Sequence, residues 1–164
     1  MISFLIVLKP TDILTYALSM EDIKSSMRII DLSFENSTFN ENDFIYALNT
    51  SVQTLPPLLM RLLILTFKKY PHLKSFVVSF LYNLISKDAV EKENYFIGFI
   101  KCLEMLDITS IDILAVLPER NIVNILSRSR FLCKLCKDNV FRRDLKFKRD
   151  VNILRHLIRD RFLK

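Results

Sequence analysis

The clearest periodicity in the chain lies between His72 and Lys87, where Leu73, Phe76, Val77, Phe80, Leu81, Leu84 and Ile85 recur at i, i+3, i+4, i+7, i+8, i+11 and i+12. That spacing puts one apolar face on a helix. Pro71 suits a first helical position, where an N–H has no intrahelical partner, and it closes whatever precedes it at Tyr70, so Tyr70-Pro71 reads as a corner between two helices. Comparable stripes flank it. Upstream, Thr11 or Asp12 is positioned to cap a short helix carrying Ile13, Leu14, Ala17 and Leu18; Glu21 and Asp22 open a second with Ile23, Met27, Ile30 and Phe34; Asn40 caps a third with Phe44, Ile45, Leu48 and Val52. Leu55 to Lys69 then reads as a helix apolar nearly all round, with Arg61 and Lys68 as its charged stripe, and it is expected to be the most buried element. Downstream, Phe96, Phe99, Ile100, Leu103 and Leu106 form one face, Ser110 caps a short helix ending at Leu117, and Pro118 starts another bearing Ile122, Val123, Ile125 and Leu126.

About ten helices joined by roughly two to six residues, with no strand-like alternation beyond the first eight positions, predict an all-α fold of stacked antiparallel helix pairs, HEAT-like or solenoid-like, with residues 1–164 as one domain. No clean self-similarity at the roughly 40-residue period of such repeats is visible, so the repeat reading rests on helix and linker lengths.

Composition narrows the function classes. Of 164 residues only Gly98 is glycine, where average usage would give roughly 11, so phosphate-cradling loops, dinucleotide-binding turns and tight hairpins lack the residue they need. At mid-helix Gly98 costs roughly 1 kcal/mol relative to alanine, and close helix-to-helix approach is its expected compensation. Three cysteines, Cys102, Cys133 and Cys136, are an odd set in a chain rich in apolar residues, which points to a reducing compartment. The most apolar segments, Ile2 to Leu8 and Leu55 to Leu65, fall short of the roughly 20 residues of a bilayer span. With neither a basic lead nor a small-residue cleavage site, Ile2 to Leu8 is expected to be a packed lead-in rather than a targeting peptide.

Candidate chemistry is sparse. His72 and His156 stand 84 residues apart, no Gly-x-Ser-x-Gly elbow exists, and Asp12, Glu21, Asp22, Asp43 and Glu119 sit at helix starts, where the helix dipole favours negative charge. Neither a catalytic set nor a cofactor is expected. Cys133-x-x-Cys136 is half a zinc site; only Cys102 and His156 could complete it, and beside Phe131, Leu132 and Leu135 the pair reads as buried small hydrophobes, with no metal expected. Arg61, charged on a greasy helix, either reaches solvent, pairs with a carboxylate or meets a partner.

Charge is divided unevenly. Residues 1–120 hold 11 basic and 14 acidic side chains, a net of −3, whereas residues 121–164 hold 13 and 4, a net of +9. Phe147, Val151, Leu154, Ile158 and Phe162 fall on one side of a possible helix of about 23 residues, about 35 Å long, with Arg142, Arg143, Lys146, Lys148, Arg149, Arg155, Arg159 and Arg161 over much of the rest. Its basic face admits a solvated surface, an acidic protein partner, or nucleic acid or lipid. The aromatics lie on the apolar stripe, which removes a base-stacking platform, and the stripe lacks Trp.

One series of motifs carries a resemblance. Leu55-Pro56-Pro57-Leu58-Leu59-Met60-Arg61, Tyr70-Pro71-His72-Leu73-Lys74-Ser75-Phe76-Val77, Leu84-Ile85, Gly98-Phe99-Ile100-Lys101-Cys102 and Leu117-Pro118 resemble, in order and spacing, the C-terminal domain family of symplekin. The match covers roughly residues 40–140, with Pro10-Thr11-Asp12-Ile13-Leu14 as a weaker extension. The resemblance implies a non-catalytic nuclear scaffold of pre-mRNA cleavage and polyadenylation, whose protein partners are the C-terminal domains of the metallo-β-lactamase-type endonuclease and its inactive homologue. Arg61, Tyr82, Lys101 and the Arg142, Arg143, Arg149 cluster are the expected contact residues. The alternative is direct RNA binding by the basic C-terminal helix; neither a membrane nor a small-molecule substrate is implied. The family's N-terminal helical repeats, which engage a phosphatase, have no counterpart here, so the chain is expected to be a fragment or a reduced version, and phosphatase binding does not carry over. Residues 141–164 match poorly and inherit no role.

Overall fold

The computed structural model describes residues 8–142, 147 and 151–162; the lead-in residues 2–7 and the basic residues Arg143, Lys146, Lys148 and Arg149 lie outside them. Every regular element among the described residues is helical, as the stripes predict. The chain divides into two compact units, residues 1–73 and 74–164.

In the first unit, α1 (Pro10–Ser19) packs on α2 (Ile23–Glu35) and on α3 (Glu41–Ser51), and α3 packs on α4 (Leu59–Lys69), after which Pro71–Leu73 forms a 3-10 turn. Neither Thr11 nor Asp12 caps α1. Its cap is Lys9, and Pro10 takes the first helical position, where its fixed φ and missing N–H cost nothing. Asp22 caps α2 by accepting the Lys24 N–H, and Asn40 caps α3 in a reciprocal box with Asp43. The buried face of α2 differs from the apolar stripe: Ser26, Ile30 and Ser33 are buried, while Ile23 is exposed and Met27 and Phe34 are half-buried. Two serines can face inward because each hydroxyl donates to a carbonyl, Ser26 to Ala17 on α1 and Ser33 to Ile29 at 2.8 Å in its own helix. The predicted start of α4 at Leu55 is also corrected. Pro56 and Pro57 lack N–H donors and push the residue before each out of the helical region; Leu55 adopts φ 50° and the helix begins only at Leu59. The remaining eleven residues keep Leu59, Met60, Leu62, Leu63, Thr66 and Phe67 buried, but the short helix Ser110–Leu114 buries a larger share, four of its five residues, so this is not the most buried element.

An aromatic cluster closes this unit. Phe34 stacks on Phe44 with centroids 4.2 Å apart, Phe39 and Tyr70 lie 6.2 and 6.1 Å from Phe44, and Lys69 Nζ sits 5.6–5.8 Å from the rings of Phe34, Phe44 and Tyr70 while donating to the Phe34 carbonyl at 2.8 Å. Ring faces carry negative potential, so one ammonium is attracted to three helices' aromatics at once.

The second unit opens with α5 (Lys74–Ser86), whose Val77, Phe80, Leu81 and Leu84 are buried as the stripe requires. Asp88, in the left-handed region, leads a short turn over Ala89–Glu91 into α6 (Glu93–Leu106). Gly98 lies mid-helix and buried on α6, between the buried Phe96 and Phe99. It has no positive φ; Leu55, Asp88 and Asp107 take those conformations instead. After a 3-10 turn at Asp107–Thr109 comes α7 (Ser110–Leu114), where Ser110 is the first helical residue rather than the cap and returns its hydroxyl to Asp107 O at 2.6 Å. Pro118 caps α8 (Glu119–Arg128), and Ser129 links it to α9 (Arg130–Asn139), which rests on α6 and α8. Among the described residues the expected C-terminal helix of about 23 residues is interrupted rather than continuous. Arg142 and Phe147 have no regular structure, and α10 spans only Asn152–Leu157 before a π turn at Ile158–Phe162. Val151, Leu154, Leu157 and Ile158 are buried, so the apolar stripe works over its last two turns.

Candidate protein-interaction surface

The residues expected to contact partners sit on separate elements. Arg61 extends from α4 and donates through Nη2 to both carboxylate oxygens of Asp31 on α2, each at 2.8 Å; its Nε is buried without a partner. Of the three roles open to Arg61, pairing with a carboxylate is the one observed. Tyr82 lies half-buried on α5, Lys101 projects from α6 to Glu104 at 3.1 Å, and Arg142 is exposed after α9. Arg143 and Arg149 are outside the described residues.

Many other cations are tied down as well. In the second unit Arg120 binds Glu91 at 2.8 Å, Arg128 pairs with Glu93 while stacking 5.1 Å from Phe96, and Arg161 reaches Glu119 at 3.2 Å. Arg155 donates to Val140 O at 2.8 Å, and Arg159 sits over Phe141 at 5.8 Å. Arg155, Arg159 and Arg161 of the basic C-terminal set are thus engaged in holding their own segment in place. Asn121 and, after it, Arg120 donate to Glu91 and hold its carboxyl below the ordinary value of 4.5; the Ser25 hydroxyl does the same for Asp22 below 3.8.

One cationic face is different. Ser129, buried between α8 and α9, accepts the Leu132 N–H and donates to Glu104 Oε1 at 2.8 Å, which fixes the start of α9 against α6. Leu132 and Cys136 then point inward, and the opposite side presents Arg130, Lys134 and Lys137, all exposed, at i, i+4 and i+7. Together with Leu126, Ser127, Cys133 and Phe162 they line an open groove of about 450 Å³. A neighbouring groove of about 310 Å³ is lined by Glu119, Ile153, His156, Leu157, Asp160 and Arg161, with His156 Nδ1 2.6 Å from Asp160; its charges are mixed and mutually satisfied. In the sequence, the signal for the α9 face is three cations spaced opposite Leu132 and Cys136, overlaid by the Cys133-x-x-Cys136 motif in the same segment.

The cysteines behave as small hydrophobes where they are buried. Burial pushes the Cys102 and Cys136 thiols up to about 12, which leaves them protonated and poorly nucleophilic near neutrality. Cys133 is half-buried at the groove. Among the described residues no group of three His, Cys, Asp or Glu side chains is gathered as metal ligands, and no helix is long and apolar enough to cross a membrane.

Comparison with known proteins places these elements in a wider set. The family model described as "Symplekin tight junction protein C terminal" matches residues 5–129. It therefore takes in α1 to α8 and reaches further toward the N-terminus than the motif series, while stopping short of α9. No solved structure matches this chain.

Proposed function

The chain belongs to the symplekin C-terminal family, and from that premise we propose that it is a non-catalytic scaffold of pre-mRNA 3′-end processing in the nucleus, binding the C-terminal domains of the cleavage endonuclease and of its inactive homologue. The family match over most of the chain carries this reading. An all-helical fold with stapled surfaces supports it, because pre-organised helices lose little conformational freedom when a partner docks. Tyr82, Lys101 and the Arg142, Arg143, Arg149 cluster are the proposed contacts, with Arg61 contributing the surface it shares with Asp31. Co-expression with the two C-terminal domains is expected to give one complex that survives size exclusion at moderate salt. Three separately eluting proteins would reject the assignment.

A further inference from the structure

We propose that the groove between α8, α9 and Phe162 is a docking site for an acidic, leucine-bearing peptide segment of another protein. The inference goes beyond the scaffold reading, since α9 lies outside the residues that match the family.

Three observations carry it. Arg130, Lys134 and Lys137 are exposed and have no hydrogen bond or ion pair among the described residues, whereas Arg61, Lys101, Arg120, Arg128 and Arg161 each hold a carboxylate. Among the described residues no Asp or Glu lines this groove, and its charged lining is cationic. Between the cations the lining is apolar, with buried Leu126, half-buried Phe162 and the half-buried Cys133 thiol. A cationic row of about 10 Å along one helix face, two turns at 1.5 Å per residue, complements carboxylates repeating at i, i+4 and i+7 on a facing helical segment, whose leucines would enter the apolar lining. A single-stranded nucleic acid fits less well, because its bases want exposed flat rings and Phe162 offers only part of one.

The probe is a fluorescein-labelled helix-forming peptide with Glu at i, i+4 and i+7 and Leu between, added to the full chain and followed by fluorescence anisotropy. Binding is expected at low salt, weakening as salt rises, and at least about tenfold weaker for K134E/K137E and for the less drastic K134A/K137A. Cys133 gives a second readout: Cys102 and Cys136 are buried, so maleimide labelling reports on this groove, and the peptide should slow it several-fold in the unaltered chain. Anisotropy that does not change, equal binding of the Gln-for-Glu peptide, or undiminished binding by both variants would overturn the proposal. So would tighter binding of an oligouridylate lost in the same variants, which would reassign the groove to nucleic acid.

Discussion

Arg61 shows how a single charged side chain is accommodated on an apolar helix. Its guanidinium clamps Asp31 from a position about one-third exposed, so the pair is worth the modest amount typical of surface ion pairs, about 1 kcal/mol or less. Asp31→Ala is therefore expected to lower urea-unfolding stability by no more than about 1 kcal/mol. A loss several times larger would mean that Arg61 is effectively buried. The sequence showed that Arg61 needed an outlet but not which carboxylate would serve, because Asp31 is 30 positions away and only the tertiary fold of this unit brings α2 and α4 within side-chain reach. The same holds for Lys69. The aromatic rings brought around it come from α2, α3 and the residue that caps α4.

At the scale of elements, periodicity located the helices and local chemistry decided their ends. Asn40 was legible as a cap because its partner Asp43 lies three residues on, and both hydrogen bonds of the box are formed. Asn40→Ala should cost about 1 kcal/mol, read as a lowered urea midpoint with unchanged slope. Boundaries failed where backbone sterics overrode hydrophobicity, as at Leu55-Pro56-Pro57, or where an apolar stripe outran the helix, as at Phe147 and Val151. The inward face of α2 was misread for a different reason: serines can be buried when carbonyls await them, and the Ala17 carbonyl belongs to another helix. Asp107 follows α6 with φ 54° and ψ −133°, a region that only glycine occupies without a Cβ penalty. Asp107→Gly is expected to raise stability by about 1 kcal/mol in the same unfolding assay.

For the whole molecule, the acidic limb of stability follows from the two carboxylates with lowered pKa. Glu91 and Asp22 prefer the ionised form in the folded chain, so their contribution is complete above their ordinary values of 4.5 and 3.8 and is lost as pH falls through the lower folded values. Thermal midpoints should therefore drop between about pH 5 and pH 3, and Glu91→Gln should flatten that slope. A steeper fall in the variant would show the sign to be wrong. The all-α class was readable from period and linker length. The cationic row on α9 was present in the spacing, but the groove beside it was not legible, because it depends on which side of that helix meets α6 and α8.

A polypeptide with an isoelectric point near 9.3 is ordinarily a sponge for polyanions. Among the described residues, Arg61, Arg120, Arg128 and Arg161 are each offset by a carboxylate from a distant position, so formal charge overstates how adhesive those parts of the surface are toward heparin or bulk transcript, whereas the α9 ridge keeps its full attraction.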